Sequence, residues 1–286
     1  MRWKEGRRSE NVEDRRALGG GAIAAGGGLG AIVLALLVLF MGGDPQRAMN
    51  IATGGGQQQT QPKATNPEED ELADFVKVVL GDTEDVWKEL FAQQGVQYRE
   101  PKLVLFTGSV QSGCGRAGAE VGPFYCPADE TVYIDLGFYR DLKSKLGAPG
   151  DFAQAYVIAH EVGHHIQNLL GLSDAVHAQQ QRLPQAEYNK LSVMLELQAD
   201  FLAGVWAHHA HRQRNILERG DIEEALTAAA AIGDDTLQEN ASGRVRPETF
   251  THGTSAERVK WFSLGLKTGD VRQGDTGIGP PIYRGN

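Results

Sequence analysis

The sequence predicts an α+β fold, mostly helical with a small antiparallel sheet, preceded by one N-terminal transmembrane helix. Three observations support this prediction. Residues 17–43 carry no charge, short strands are predicted at residues 102–107 and 131–136, and most of the sequence after them has helical spacing. Short strands before mostly helical sequence are typical of an α+β domain.

The uncharged segment 17–43 is long enough to cross a bilayer, which needs about 20 residues. Basic residues precede it (Arg2, Lys4, Arg7, Arg8, Arg15 and Arg16), and only Arg47 follows closely. This bias predicts that residues 1–16 stay cytoplasmic and that the rest is exported. A cleavable signal peptide is the alternative, but no Ala-x-Ala-like site follows Met41, which favours an uncleaved anchor. We therefore expect a single-pass inner-membrane protein with a periplasmic or other extracytoplasmic domain.

Residues 44–70 are rich in Gly, Gln, Thr, Pro and Asn, and an acidic run begins at Pro67. This composition cannot form a core, so it predicts a flexible linker. Residues 71–286 then form one globular domain, large enough to bury a core. Its predicted elements, in order, are a helix at 72–94, the two strands, a short helix at 139–146, helices at 151–170, 187–210 and 221–232, and a last helix beginning near Ser255.

The helix beginning near Asp151 contains the sequence His160-Glu161-Val162-Gly163-His164. Two histidines four positions apart on a helix project from one face and can bind a single metal ion, for which zinc is the natural choice. Glu161 is well placed to take a proton from a water molecule at the metal. Gly163 costs a helix about 1 kcal/mol relative to alanine, which indicates close approach by another backbone or a substrate. A chance match of this short motif is the alternative.

A catalytic zinc site needs a third protein ligand, and Glu196 on the next long helix can supply it. Asp200 lies four residues later on the same face, where it can accept the spare ring N–H of a ligating histidine. The alternative is an ordinary solvated helix face that carries two acids.

These motifs together resemble the gluzincin metallopeptidases, and the whole chain resembles the bacterial neutral zinc metallopeptidase family often called YpfJ-like. The resemblance rests on His160-Glu161-x-x-His164 with Glu196-x-x-x-Asp200, the opening Met1-Arg2-Trp3-Lys4, an early membrane segment, Cys114-Gly115, Pro123-Phe124-Tyr125-Cys126-Pro127, Val132-Tyr133-Ile134-Asp135 and the stretch from Thr251 to Arg258. It implies a zincin-like domain and a zinc-dependent peptidase. His252 resembles the late histidine that some gluzincins point at the reacting carbonyl, which implies a catalytic role. Arg258 is expected either to serve the reaction or to bridge to Asp200 or Glu257 and organise the core.

Cys114 and Cys126 both belong to the domain expected to be exported. A pair of cysteines in an oxidising compartment favours a disulfide, worth roughly 3 kcal/mol for a loop of this length, over a two-thiol metal site. The net charge is −9, and no basic stripe carries interleaved aromatic residues, so nucleic acid is not an expected partner.

The remaining histidines are expected to have structural roles or to lie on the surface. His165 is rotated away from the ligand face and is expected to pack or to support a ligand. His208, His209 and His211 suit the negative end of a helix dipole better than a second metal site, and His177 is expected on the surface.

The sequence thus predicts a membrane-tethered zinc endopeptidase that binds Zn²⁺ through His160, His164 and Glu196 and uses Glu161 as general base. His252, with Tyr188 or Tyr133, is expected to stabilise the oxyanion, and strand 131–136 is a candidate edge for pairing a peptide substrate. Two alternatives stay open: a non-catalytic periplasmic scaffold that binds zinc or a partner, and a zinc hydrolase acting on a non-peptide bond.

Overall fold

The structure is a computed structural model that describes residues 1–17 and 66–282. The anchor predicted at 17–43, except its first residue, and the predicted linker up to residue 65 lie outside the described residues. Among the described helices, none combines the length and the apolar character needed to cross a membrane.

The described residues form a mostly helical α+β fold, as predicted. The predicted helices are present, with ends that differ by a few residues from the expected ones, and two further short helices, at 172–177 and 234–242, were not predicted. The described helices are α1 (Pro67–Gln93), α2 (Gly137–Ser144), α3 (Asp151–Leu169), α4 (Leu172–His177), α5 (Gln185–Arg214), α6 (Asp221–Ala231), α7 (Asp234–Ser242) and α8 (Ser255–Thr268).

Helix α1 begins inside the segment predicted to be linker. The side chain of Asn66 caps it by accepting a hydrogen bond from the backbone N–H of Glu68, and Pro67 occupies the first turn. Proline suits this position because its missing N–H would have no partner there, and the acidic residues that follow favour the positive end of the helix dipole. The acidic run that begins at Pro67 is therefore a helix start.

The main sheet has four strands and is mixed, whereas the sequence predicts an antiparallel sheet. The strands are β1 (Val12–Asp14), β2 (Lys102–Phe106), β5 (Phe124–Cys126) and β6 (Thr131–Asp135). Their order in the sheet is β1-β2-β6-β5, with β1 parallel to β2, β2 parallel to β6, and β5 antiparallel to β6. Parallel neighbours need a long connection, and residues 107–130 provide one between β2 and β6.

Strand β6 lies between β2 and β5, so it is hydrogen-bonded on both sides. The expectation that residues 131–136 offer a free edge to a peptide is therefore wrong. The edge next to α3 belongs to β5 instead.

A hairpin occupies the connection between β2 and β5. It consists of β3 (Ser109–Ser112) and β4 (Gly115–Gly118), which pair antiparallel. A disulfide joins Cys114, in the turn of this hairpin, to Cys126 at the end of β5. The covalent link ties the hairpin to the edge of the main sheet.

Residues 1–17 pack against the rest of the described chain. Strand β1 pairs with β2 in the register Val12 to Leu103, and the side chains of Met1 and Trp3 are buried in the main hydrophobic core. Trp3 meets the ring of Phe75 edge to face, with centroids 5.4 Å apart. Backbone hydrogen bonds thus join residues 12–14 to the sheet of the domain, while the compartment of each part of the chain stays a prediction.

The basic residues that precede the uncharged segment are engaged with the domain. Arg7 lies 2.7 Å from the carboxylate of Glu84, Arg8 2.6 Å from that of Asp74, and Lys4 3.2 Å from that of Glu71, all on α1. The α-amino group of Met1 lies 2.6 Å from the carboxylate of Asp151, the first residue of α3. The charges that predict the membrane orientation are therefore paired with acids of the folded domain.

Helix α3 packs against α1, α5 and α6. At Gly163 an added Cβ would lie 3.0 Å from the Cα and the carbonyl oxygen of Ala199 on α5. The mid-helix glycine thus permits close approach of another backbone, one of the two reasons expected from the sequence. A similar approach joins α5 to α8, where a Cβ on Gly204 or Gly265 would collide with the carbonyl oxygen of the facing helix.

Candidate metal centre

The close packing of α3 on α5 brings His160, His164 and Glu196 together. One potential ligand atom from each of these three residues lies within 4.8 Å of the others. The Nε2 atom of His160 is 3.2 Å from one Glu196 carboxylate oxygen, and the Nε2 atom of His164 is 3.3 Å from the other. Both imidazoles therefore present Nε2 to the same carboxylate.

The other nitrogen of each imidazole is hydrogen-bonded on the outer side. His160 Nδ1 is 2.9 Å from Asp200 Oδ1, and His164 Nδ1 is 2.9 Å from the side-chain oxygen of Gln167. A carboxylate and an amide oxygen can only accept, so each Nδ1 carries a proton. With Nδ1 occupied in this way, a metal ion that displaced the proton between Nε2 and Glu196 would find both Nε2 lone pairs beside a carboxylate, which is a donor set that suits zinc.

Asp200 lies below this cluster and is fully buried. Its carboxylate also accepts hydrogen bonds from the hydroxyl of Tyr156, at 2.5 Å, and from Arg258, with Nε–Oδ2 at 2.8 Å. Burial opposes ionisation of Asp200, but the charges of Arg258 and His160 outweigh it and lower its pKa. Of the two roles expected for Arg258, the structure thus shows the bridge to Asp200.

The electrostatics of the cluster favour a cation. Burial opposes protonation of His160, yet the carboxylates of Asp200 and Glu196 raise its pKa to about 10. When ionised, Glu161, Glu196 and Asp200 carry three negative charges, which Arg258 balances only in part. A divalent cation would supply the missing positive charge. On binding, it would replace the proton of a histidine with a metal bond. The residues present therefore fit zinc.

Glu161 is buried and belongs to the wall of a cavity that also exposes the two histidines and Glu196. Burial raises its pKa, against the lowering effect of the two histidines. Glu161 follows His160 in the sequence and lines the same cavity, so it offers a carboxylate that is not needed as a ligand beside the candidate metal position.

The cavity has a volume of about 720 Å³. The metal-site residues are part of its lining, and the walls are largely apolar. The apolar residues include Val121, Phe124, Phe138, Leu146, Val157 and Leu237. Val121 and Leu237 are partly exposed at 59% and 38%, so large apolar side chains remain open to solvent at the cavity. Such a cavity can bury an apolar side chain of a ligand next to a polar reaction centre.

His252 also lies on this cavity, in the loop before α8. Asp234 on α7 orients it: one carboxylate oxygen accepts the backbone N–H of Thr251, His252 and Gly253, and the other is 3.1 Å from His252 Nδ1. The hydrogen bond to Asp234 raises the pKa of His252, in spite of partial burial. Sequence reasoning missed Asp234, which lies in a different helix and has no motif spacing to His252.

Tyr133 and Tyr188, the tyrosines expected to assist His252, do not line the cavity. The hydroxyl of Tyr133 donates to Asp129 at 2.7 Å, and its ring stacks on Phe124. Tyr156 was also missed as a functional residue, although it precedes His160 by four positions and therefore shares its helix face.

The other histidines have structural partners. His165 is fully buried, with Nε2 2.6 Å from the carbonyl oxygen of Arg99, and burial lowers its pKa to about 4. His208 and His209 are hydrogen-bonded to the carbonyl oxygens of Leu266 and Gly269 at the end of α8. In the described residues, the three histidines near the end of α5 form no candidate metal cluster, and His177 is exposed at the cavity.

Comparison with known proteins identifies the family of this chain. The model of the family described as "Putative neutral zinc metallopeptidase" matches residues 1–277. This chain belongs to that family. It is 51% identical over 283 residues to "Uncharacterized protein YpfJ" of Escherichia coli K12, covering 96% of this chain and 98% of that protein. It is 46% identical over 210 residues to "Uncharacterized protein Rv2575" of Mycobacterium tuberculosis H37Rv, covering 70% and 69%. No solved structure matches this chain.

Proposed function

We propose that the protein is a zinc-dependent endopeptidase. The observation that carries the proposal is the convergence of His160 and His164 Nε2 on Glu196, with Glu161 beside them, in the lining of a largely apolar cavity. Membership of a zinc metallopeptidase family supports the same activity. A structural zinc site would need neither the open cavity nor an adjacent free carboxylate.

In this proposal His160, His164 and Glu196 hold the ion. Zinc supplies a Lewis acid that lowers the pKa of water and polarises a carbonyl group. Glu161 removes the proton from the attacking water and passes it to the leaving amine. His252, oriented by Asp234, donates a hydrogen bond to the oxygen that becomes negative in the transition state. Asp200 and Arg258 keep His160 in the required orientation.

An extended peptide would lie along β5. This strand is the edge of the main sheet on the side of β6 away from β2, and Phe124 and Tyr125 line the cavity. Addition of a strand at a sheet edge lets the main chain of a peptide bind without regard to its sequence. The apolar cavity wall then favours peptides with a bulky apolar side chain near the cleaved bond.

We also propose that the domain works outside the cytoplasm and that the uncharged segment 17–43 associates it with a membrane. The Cys114–Cys126 disulfide supports an oxidising compartment. In this proposal residues 1–17 lie in the same compartment as the domain, which the pairing of β1 with β2 supports.

The test of the activity is Glu161→Gln in the full chain. This substitution keeps the size of the side chain and all three ligands but removes the proton acceptor. We expect bound zinc to stay at the wild-type level while cleavage of a peptide library falls at least about 100-fold. Wild-type protein treated with a chelator serves as the metal-free control. An active Glu161→Gln protein would contradict the mechanism, and chelator-insensitive cleavage would contradict the zinc dependence.

A further inference from the structure

The two candidate histidine ligands differ in their outer hydrogen-bond partners. His160 faces the charged carboxylate of Asp200, whereas His164 faces the neutral side chain of Gln167. Gln167 follows His164 by three positions on α3 and is fully buried. A buried amide beside a metal ligand has to satisfy all its polar atoms, so its remaining hydrogen bonds show which way it points.

The orientation of Gln167 follows from its donors. Its side-chain nitrogen is 2.7 Å from the carbonyl oxygen of Leu195 and 3.2 Å from the side-chain oxygen of Gln198. Both partners are acceptors, so they use both hydrogens of the Gln167 amide. A flipped amide would place oxygen against the Leu195 carbonyl. The oxygen of Gln167 must therefore face His164.

Gln198 is fixed by the same reasoning. It lies on α5 two positions after Glu196, is fully buried, and donates through its side-chain nitrogen to the carbonyl oxygens of Gly274, at 2.7 Å, and Gly279, at 2.8 Å. Backbone carbonyls only accept, so the oxygen of Gln198 is left to accept from Gln167. The directions of all the hydrogen bonds from His164 to these carbonyls are consistent with one another.

The two carbonyls belong to a C-terminal loop, residues 274–279, that is itself held in place. The Asp275 carboxylate accepts the backbone N–H of Gly277 and Gly279, at 2.9 and 3.0 Å. The hydroxyl of Thr276 donates to the carbonyl oxygen of Met194 at 2.6 Å, which ties the loop to α5 just before Glu196. The loop thus contacts the ligand-bearing part of α5 directly and through Gln198.

We propose that Gln167 is a positioning residue, which holds His164 with its proton on Nδ1 and its Nε2 lone pair toward the metal, and that Gln198 and loop 274–279 hold Gln167 in this orientation. The proposal rests on the zinc-binding role of His164 in the proposed function. Because the partner is a neutral amide, it orients the ring without adding a negative charge to a cluster that already contains the buried carboxyl groups of Glu161 and Asp200 and the half-buried one of Glu196. His164 is then positioned independently of the Asp200–Arg258 pair, which serves His160.

Zinc affinity, measured by competition with a chelator, tests the proposal on the full chain. Gln167→Met keeps the length of the side chain but removes the acceptor, and we expect about 10- to 100-fold weaker zinc binding. Gln167→Glu keeps an acceptor for His164, so its affinity should lie between those of the wild type and Gln167→Met. Gln154→Met is the matched control, since Gln154 lies on α3 and its side-chain oxygen has no partner among the described residues. Wild-type affinity in Gln167→Met, or an equal loss in Gln154→Met, would overturn the proposal.

A second measurement does not involve zinc. The metal-free Glu196→Ala protein is used, because it lacks the carboxylate that faces His164 Nε2. At a pH where His164 is neutral, ¹⁵N NMR of the imidazole nitrogens should show the Nδ1–H form of His164 in this protein and a mixture of the two forms once Gln167→Met is added. A predominant Nε2–H form with Gln167 in place would overturn the proposal. If the protein binds zinc but cleaves no peptide, the proposed activity fails while both measurements still decide the role of Gln167.

Discussion

The metal centre and the N-terminal segment, residues 1–17, are attached to the fold in different ways. The metal centre is assembled by two long helices whose backbones touch at Gly163 and Ala199, and its polar side chains are buried or half-buried and joined by hydrogen bonds. The N-terminal segment adds one short strand, two buried apolar side chains and a set of ion pairs that are mostly exposed. Exposed ion pairs contribute about 0 to 1 kcal/mol each, so β1, Met1 and Trp3 must provide most of the attachment.

The two regions should therefore respond to different perturbations. Changes at the metal centre leave buried charges or donors without partners and should affect both stability and zinc chemistry. Changes in the N-terminal segment remove apolar burial and should affect stability alone. The strand pairing also has a consequence for topology, which provides the prediction with the largest expected effect.

Residues 1–17 and the rest of the described chain should lie in the same compartment of the cell. Single cysteines introduced at Glu5→Cys and Lys267→Cys, both exposed positions, should be labelled together or not at all by a membrane-impermeant maleimide in intact cells. The native cysteines are joined in a disulfide and should not react. Permeabilised cells, in which both should react, control for accessibility. Labelling of Lys267→Cys alone would show that β1 and β2 are not paired in the cell.

The Asp200–Arg258 pair should be the most sensitive stabilising contact near the metal centre. Arg258→Met removes the cation from a fully buried ion pair and leaves Asp200 without its charge partner. Breaking such a pair costs about 3–5 kcal/mol in the free energy of unfolding, measurable by chemical denaturation. Lys267→Met, an exposed residue on the same helix, should change stability by about 0.5 kcal/mol or less. Equal stability of the two variants would mean that the pair adds nothing to the fold.

Trp3→Ala tests the attachment of the N-terminal segment. Trp3 is only 9% exposed and packs on Phe75, so its truncation should lower the free energy of unfolding by about 3 kcal/mol. The zinc affinity of the folded protein should not change, because no hydrogen bond joins this segment to the ligands. The exposed neighbour Arg2→Ala is the control. A Trp3→Ala protein as stable as Arg2→Ala would show that residues 1–17 are not anchored through this side chain.

Asp234→Asn should have the smallest effect on catalysis, about 10-fold on kcat/KM, since it disturbs only the orientation and charge of His252. Asp234 raises the pKa of His252, with a further contribution from Glu196, so the protonated imidazole persists to higher pH in the wild type. Removal of the carboxylate should therefore move the alkaline limb of the pH–rate profile to lower pH. Asp235→Asn, whose carboxylate bonds Ser255 instead, should leave that limb in place. An unshifted limb in Asp234→Asn would exclude His252 as the titrating donor.

Local spacing explains what the sequence could predict. Residues three or four apart on a helix share a face, so the grouping of His160 with His164 and of Glu196 with Asp200 follows from the chain itself. The same rule could have indicated Tyr156 and Gln167, each within four positions of a ligand. The helices were likewise predictable from their apolar periodicity and end signals.

Contacts between distant segments explain what the sequence could not predict. The parallel pairing of β1 with β2 and the position of β6 inside the sheet depend on strand partners far apart in sequence, for which a single chain carries no local signal. The basic residues near the N-terminus look the same in the sequence whether they face a membrane or the acidic residues of α1, so residue type alone does not distinguish the two. Asp234 is similar, since only the folded chain brings it to His252.

The position of zinc in a crystal of the full chain, located by anomalous scattering at the zinc absorption edge, tests the proposed metal centre without any assay. We expect one strong site about 2.0–2.1 Å from the Nε2 atoms of His160 and His164 and about 2.0–2.2 Å from a Glu196 carboxylate oxygen. The described residues contain a second acidic group, formed by Asp151, Asp221 and Glu224, with ligand atoms within 4.8 Å of one another; we expect no zinc there, because the α-amino group of Met1 lies against it. Zinc at that second group, or no zinc bound by the two histidines, would show that the metal centre is assigned to the wrong residues.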